Sequence, residues 1–97
     1  MKNLQAIKMT IKKNKTLLRE KFSVKRIGLF GSYIRGEQKR TSDLDILVEF
    51  QKPIGFFIFL DLEEYLSKIL KVKIDLVSKK ALKPHIGQHI LKEIEFV

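Results

Sequence analysis

The chain has no cysteine among its 97 residues, so disulfides and thiolate metal centres are excluded. It has no long apolar run either. The longest, PIGFFIFL, is far shorter than the roughly 20 residues a membrane helix needs. The opening MKNLQAIKMTIKKNKTLLREKF carries charge throughout and has no apolar h-region, so it is not a secretory signal, and a cytoplasmic location is expected. No internal repeat and no low-complexity linker divide the chain. A protein of this length buries roughly 60–65% of its unfolded surface, enough for one core, so a single domain over 1–97 is expected. Acidic charge is nearly missing from residues 1–26, where Glu20 alone faces nine lysines and arginines, Lys2 among them. The rest of the chain is close to balanced, so the net charge of +9 belongs to the first segment. That segment reads as a solvated face, or as a contact for an acidic partner or nucleic acid. Only Phe22 interleaves with its cations, so a base-stacking platform is not supported.

What is present is patterned. Leu4, Ile7, Ile11 and Leu18 recur at helical spacing and predict a basic amphipathic helix over 3–21. VKRIGLFG, from Val24, reads as a strand. Ser32 reads as the cap of a short helix through Glu37, with Gly31 permitting a sharp turn before it. LDILVEF is a second strand, and Pro53 and Gly55 break the chain after it. Residues 55–70 predict a helix whose first turn and a half, Phe56–Leu60, is unusually apolar and reads mainly as core, with exposed apolar surface for a partner as the alternative. KVKIDLVS alternates as a third strand, and 84–93 form a last helix with Pro84 at a tolerated first position.

The chemistry-bearing feature is Gly31-Ser32, then ten residues, then Asp43-x-Asp45 at the head of the second strand. Residues i and i+2 of a strand share a face, with Cα atoms about 6.6 Å apart. Two carboxylates so close repel unless a cation lies between them, and hard oxygen ligands suit Mg²⁺. Asp75 is a third strand-borne carboxylate. If its strand lies beside the second, three carboxylates converge in an arrangement suited to two metal ions and in-line phosphoryl or nucleotidyl transfer. Gly31 and Ser32 would then present amides and a hydroxyl to phosphates, and Arg35 would reach the same phosphates or brace the loop. Plainer readings stand beside these. Asp43 could be a turn residue satisfied by Thr41 and Ser42, and Asp75 could pair with Lys71 or Lys73. His85 and His89 have metal-compatible spacing but no third ligand nearby.

GLFGSYIRGEQKRTSDLDILVEF followed by KIDLVS closely resembles the minimal nucleotidyltransferases of the DNA polymerase β-like superfamily, whose signature is Gly-Ser, ten residues, Asp-x-Asp. The resemblance covers residues 24–78, the expected catalytic core, with every motif position present, and the closing ILKEIEFV also looks like the ends of these short proteins. It implies a small three-layer α/β fold, a short mixed sheet flanked by helices. Such proteins are prokaryotic and often encoded beside a HEPN-domain toxin. Some neutralise that toxin by transferring AMP from ATP to one of its tyrosines. Carried over by position, Gly31 and Ser32 would hold the β- and γ-phosphates. Asp43 and Asp45 would bind two Mg²⁺ (or Mn²⁺) ions. Asp75 would complete one metal site and help deprotonate the attacking hydroxyl. Larger relatives grip the nucleotide with a second domain that is absent here, so either a partner or a second copy would supply the missing wall or the affinity for free nucleotide would be low. The alternatives are an antitoxin that neutralises its HEPN toxin by binding alone, and a basic nucleic-acid-binding domain.

Overall fold

The computed structural model describes residues 3–97; Lys2 of the basic segment lies outside the described residues. The order is α1 (Leu4–Lys13), α2 (Lys15–Phe22), β1 (Val24–Phe30), α3 (Ser32–Arg35), β2 (Leu44–Phe50), α4 (Phe56–Leu70), β3 (Ile74–Ser78), α5 (Pro84–Glu93) and β4 (Glu95–Phe96), with one 3₁₀ turn at Lys79–Ala81. The strands form one mixed sheet in the order β3-β2-β1-β4. β1 is antiparallel to both β2 and β4, while β2 and β3 are parallel. A parallel pair needs a long crossover, and α4 supplies it.

The sheet has two different faces. Ile27, Leu29, Leu44, Ile46, Val48 and Leu76 are buried with Ile7, Ile11, Leu18, Phe22, Leu62, Leu66 and Leu70 in one core. Three leucines of α4 four residues apart, each fully buried, form the stripe that seats this helix. The opposite face carries Phe30, Asp45 and Asp75 as register partners in a single row across three strands.

Three expectations need correction. The predicted helix 3–21 is two helices. Asn14 sits between them with φ −105° and ψ 8°. Its Nδ2 donates to the Thr10 carbonyl at 2.8 Å, and its Oδ1 accepts from the Tyr65 hydroxyl at 2.8 Å. A side chain that bonds its own helix backbone and a distant residue competes with the helical ladder. The hydrophobic register survives the break, because Ile7, Ile11 and Leu18 are all buried. The second correction concerns Phe56–Leu60, which is not core. Phe56 and Phe57 are 69% and 78% exposed, Ile58 and Leu60 are also exposed, and only Phe59 packs inward, against Phe50. The first turn of α4 lies beyond the end of β2, where the sheet offers nothing to cover it. Third, Ser32 is not a cap. Gly31 holds the cap position, Ser32 is the first helical residue, and α3 stops at Arg35 with Gly36 in the left-handed region.

Candidate active site

The site forms where β1 and β2 meet head to tail. β1 ends at Phe30, β2 begins at Leu44, and the Leu44 N–H donates to the Lys73 carbonyl at 2.8 Å, extending the β2–β3 ladder to its entrance. That bond fixes the parallel register in which Asp45 lies directly beside Asp75. Two carboxylates on adjacent strands, on the same face, have nowhere else to point.

Asp45 records the cost electrostatically. Burial, then the charge of Asp75, then a hydrogen bond with Asp75 and the charge of Asp43, raise it from the ordinary 3.8 to about 6, against a smaller opposing pull from Arg35. Asp75 is exposed, and Asp43 lies in an exposed position just before β2. Ser42 turns the preceding loop by accepting from the Lys39 N–H at 2.9 Å rather than by satisfying Asp43. Among the described residues neither Asp43 nor Asp75 forms an ion pair, with Lys71, Lys73 or any other cation.

Gly31 brings the other half of the motif into contact with this cluster. Its φ is +83° with ψ −154°. A Cβ there would fall 2.0 Å from Asp45 Oδ2. Glycine is therefore required twice, for a backbone that L-residues rarely adopt and for the approach of the turn to a carboxylate. Ser32 is half-buried, and neither its N–H nor its hydroxyl has a hydrogen-bond partner among the described residues. Arg35 is not free. Its Nε donates to Glu37 at 2.7 Å and its Nη1 to both oxygens of Glu93 at 3.0 and 3.2 Å. These bonds, Glu37 first and then Glu93, raise its pKa above the ordinary guanidinium value.

Glu93 is the site residue that sequence reasoning missed. Burial pushes its carboxyl up, but the Arg35 hydrogen bond, the Gly31 amide and the Arg35 charge outweigh that and hold it below the usual range. It lies in the closing ILKEIEFV, whose likeness to the family's ends assigns it no role, and it stands 62 residues from Gly31.

Among the described residues no three acidic, imidazole or thiol side chains form a ready-made metal shell, and His85 and His89 meet edge to face in exposed positions on α5. The donor set nevertheless fits Mg²⁺. This ion takes one or two carboxylates together with substrate phosphates and water, not an all-protein cage. The Asp45–Asp75 pair, with Asp43 close enough to perturb it, offers hard oxygens whose mutual repulsion a divalent cation would relieve.

A family model described as a nucleotidyltransferase domain matches residues 11–97. The protein adenylyltransferase MntA of Thermococcus cleftensis is 44% identical over 97 residues, spanning 100% of this chain and 98% of that one. A Methanocaldococcus jannaschii chain assigned as a protein adenylyltransferase is 46% identical over 98 residues, spanning 100% of both chains. Among solved structures, one described as a minimal nucleotidyltransferase superposes with TM-score 0.84 at 29% identity, covering 97% of this chain and 95% of that one. A toxin–antitoxin crystal structure containing AMP-PNP superposes with TM-score 0.73 at 29% identity, covering 88% of this chain and 69% of its own.

Proposed function

The chain belongs to the nucleotidyltransferase-domain family, and on that premise we propose that it transfers AMP from ATP to a hydroxyl of a protein partner, a tyrosine of a HEPN-domain toxin, and so acts as its antitoxin. The observation that carries this reading is the contact between the two halves of the motif. The Gly31 turn is packed on Asp45, and Asp45 is paired in register with Asp75.

In this reading Asp43, Asp45 and Asp75 would hold two Mg²⁺ ions, and Gly31, Ser32 and Arg35 would form the nucleotide-binding edge. The metal supplies charge neutralisation and orientation at the phosphates. Ser32 offers its N–H and hydroxyl to the β- and γ-phosphates. Arg35 retains its Nη2 donors beyond those given to Glu93 and Glu37. The acceptor oxygen attacks the α-phosphorus, its proton passes to the Asp75 carboxylate, and the bond to the bridging oxygen breaks to release pyrophosphate. The exposed Asp75 lies where an incoming hydroxyl can reach it. The exposed Phe56, Phe57, Ile58 and Leu60 offer apolar surface for a partner. No helix among the described residues is long and apolar enough to cross a membrane, and a single cytoplasmic domain fits the proposed role.

The second reading, an antitoxin that works by binding alone, is favoured by that same apolar surface. The two are separated by co-expressing the HEPN partner with wild-type chain or with Asp45→Asn. The enzyme reading expects the variant to bind yet fail to protect growth, with the partner lacking the mass of AMP that the wild type adds. Full protection by Asp45→Asn, with an unmodified partner in both strains, sinks it.

A further inference from the structure

Glu93 is placed by the backbone, not by its own side chain. It ends α5, and β4 follows at once. β4 pairs with β1 through Gly28↔Phe96 and Leu29↔Glu95, and the Val97 N–H donates to the Ile27 carbonyl at 2.9 Å. Lys8 pairs with Glu95, and the Arg26 guanidinium lies 4.2 Å over the Phe96 ring. Gly28 lets this strap seat closely, because a Cβ there would stand 2.6 Å from Ile94 Cδ1. With these anchors in place, the Glu93 carboxylate hangs over the end of β1. Its Oε2 accepts from the Gly31 N–H at 3.0 Å, while both oxygens accept from Arg35 Nη1.

We propose that Glu93 is a positioning residue for nucleotidyl transfer: it holds the Gly31 amide and the Arg35 guanidinium in place, so that Ser32 and the remaining Arg35 donors face the nucleotide phosphates. The proposal rests on the reading of Gly31, Ser32 and Arg35 as the nucleotide-binding edge. It also revises that reading in one respect, since the Gly31 amide is given to Glu93 and not to a phosphate. Glycine is the residue with most backbone freedom, and a turn built on it is poorly defined unless an external bond fixes its peptide. An amide and a guanidinium held before the nucleotide arrives need not be ordered on binding, and that saving appears as affinity. Glu37 cannot substitute. It reaches Arg35 Nε but makes no bond to the Gly31 turn, and its side chain is 63% exposed against 28% for Glu93.

The test uses the full chain as wild type, Glu93→Gln, Glu93→Ala, Arg35→Ala and the double alanine variant. ATP–Mg²⁺ binding is measured by calorimetry, AMP transfer on the co-purified partner, and the Gly31 amide by ¹⁵N NMR and hydrogen exchange without nucleotide. Glu93→Ala should raise KM for ATP about tenfold with kcat within about twofold, the loss expected of one charge-assisted contact outside the reacting atoms. Glu93→Gln should recover part of the loss, because its carboxamide oxygen still accepts from Gly31. The double variant should be no worse than the poorer single one, and the Gly31 amide should exchange faster in Glu93→Ala. The strap anchors lie at residues 94–97, so partner binding should be unchanged. Tighter ATP binding by Glu93→Ala would make Glu93 a competing anion and overturn the proposal. So would an unchanged KM, or an unaltered Gly31 amide. Any of these in a chain whose wild type transfers AMP sinks the positioning role alone. A wild type that neither binds ATP nor transfers AMP sinks the functional reading, and the positioning role with it.

Discussion

Replacing Asp45 with Asn should make the metal-free protein more stable, and the gain should depend on pH in a defined window. Asp45 is raised from 3.8 to about 6 in the folded chain, first by burial and then by Asp75. Between those two values the folded state binds more protons than the unfolded state, so this group's contribution to stability falls as pH rises through the window. Above about 6 the penalty is complete, and below 3.8 it has vanished. A shift of about two units corresponds to ~3 kcal/mol at 1.36 kcal/mol per unit. The carboxylate is only partly shielded from water, which reduces this to about 1–2 kcal/mol. Asn keeps the shape and removes the charge. Urea denaturation in EDTA should therefore show Asp45→Asn more stable than wild type by about 1–2 kcal/mol at pH 7.5, with the gap closing toward zero near pH 4. Other carboxylates titrate in both proteins, so the difference isolates this one. Mg²⁺ with ATP should narrow the gap at pH 7.5, since a ligand bound only by folded wild type stabilises it by mass action. A gap that is absent at pH 7.5, or that persists unchanged at pH 4, refutes the electrostatic account of the Asp45–Asp75 pair.

Two further outcomes follow from the same geometry. Gly31→Ala places a Cβ 2.0 Å from Asp45 Oδ2 at a φ of +83°, so the turn must open; a loss of about 2 kcal/mol or more in denaturation and near-complete loss of AMP transfer are expected, and a fully active variant would contradict the contact. Neutralising Lys12, Lys13 and Lys15, all exposed, should leave stability within about 0.5 kcal/mol and slow association with the proposed HEPN partner; surface plasmon resonance across a salt series measures this, and an unchanged rate would make the segment a solvated face.

Much of the site was legible because it is written in local rules. Alternation put Asp45 on a strand face, although Asp43, expected beside it at the strand's head, lies just before β2; the apolar run around Asp75 marked a strand long enough to lie beside β2. The β2–α4–β3 order then makes that neighbour parallel, which turns two separate motifs into the Asp45–Asp75 pair. What escaped was set by contacts distant in sequence. Lys12-Lys13-Asn14-Lys15 contains a poor helix former, yet the break at Asn14 depends on the Tyr65 hydroxyl, which no local pattern reveals. β4 is two residues long, too short for any period, and it exists because Gly28 leaves room for Ile94 and Phe96. Glu93 becomes a site residue only through that strap. The exposure of Phe56 and Phe57 could have been foreseen. The Leu62, Leu66 and Leu70 stripe fixes which side of α4 is buried, and the continuous apolar run obscured it.

The placement of the exposed phenylalanines bears on what kind of acceptor the site can use. β2 runs from Asp45 near its entrance to Phe50 at its end, and α4 starts beyond that end. At about 3.3 Å per residue, Phe56 and Phe57 lie on the order of 20 Å from the carboxylates. A small acceptor that touched Asp75 would gain nothing from them. An acceptor that covers both must be a folded surface about as wide as a standard protein interface, roughly 800 Å² on each side. For such a partner the two ends do different work. The phenylalanines supply binding that is the same before and after transfer, while the carboxylates act only on the hydroxyl presented to them. Loss of the first should weaken the complex without changing the rate of transfer within it. Loss of Asp45 should leave the complex intact and stop transfer. On the proposed function, binding and transfer would therefore be separable by mutation, the first at Phe56 and Phe57 on α4 and the second at Asp45 on β2.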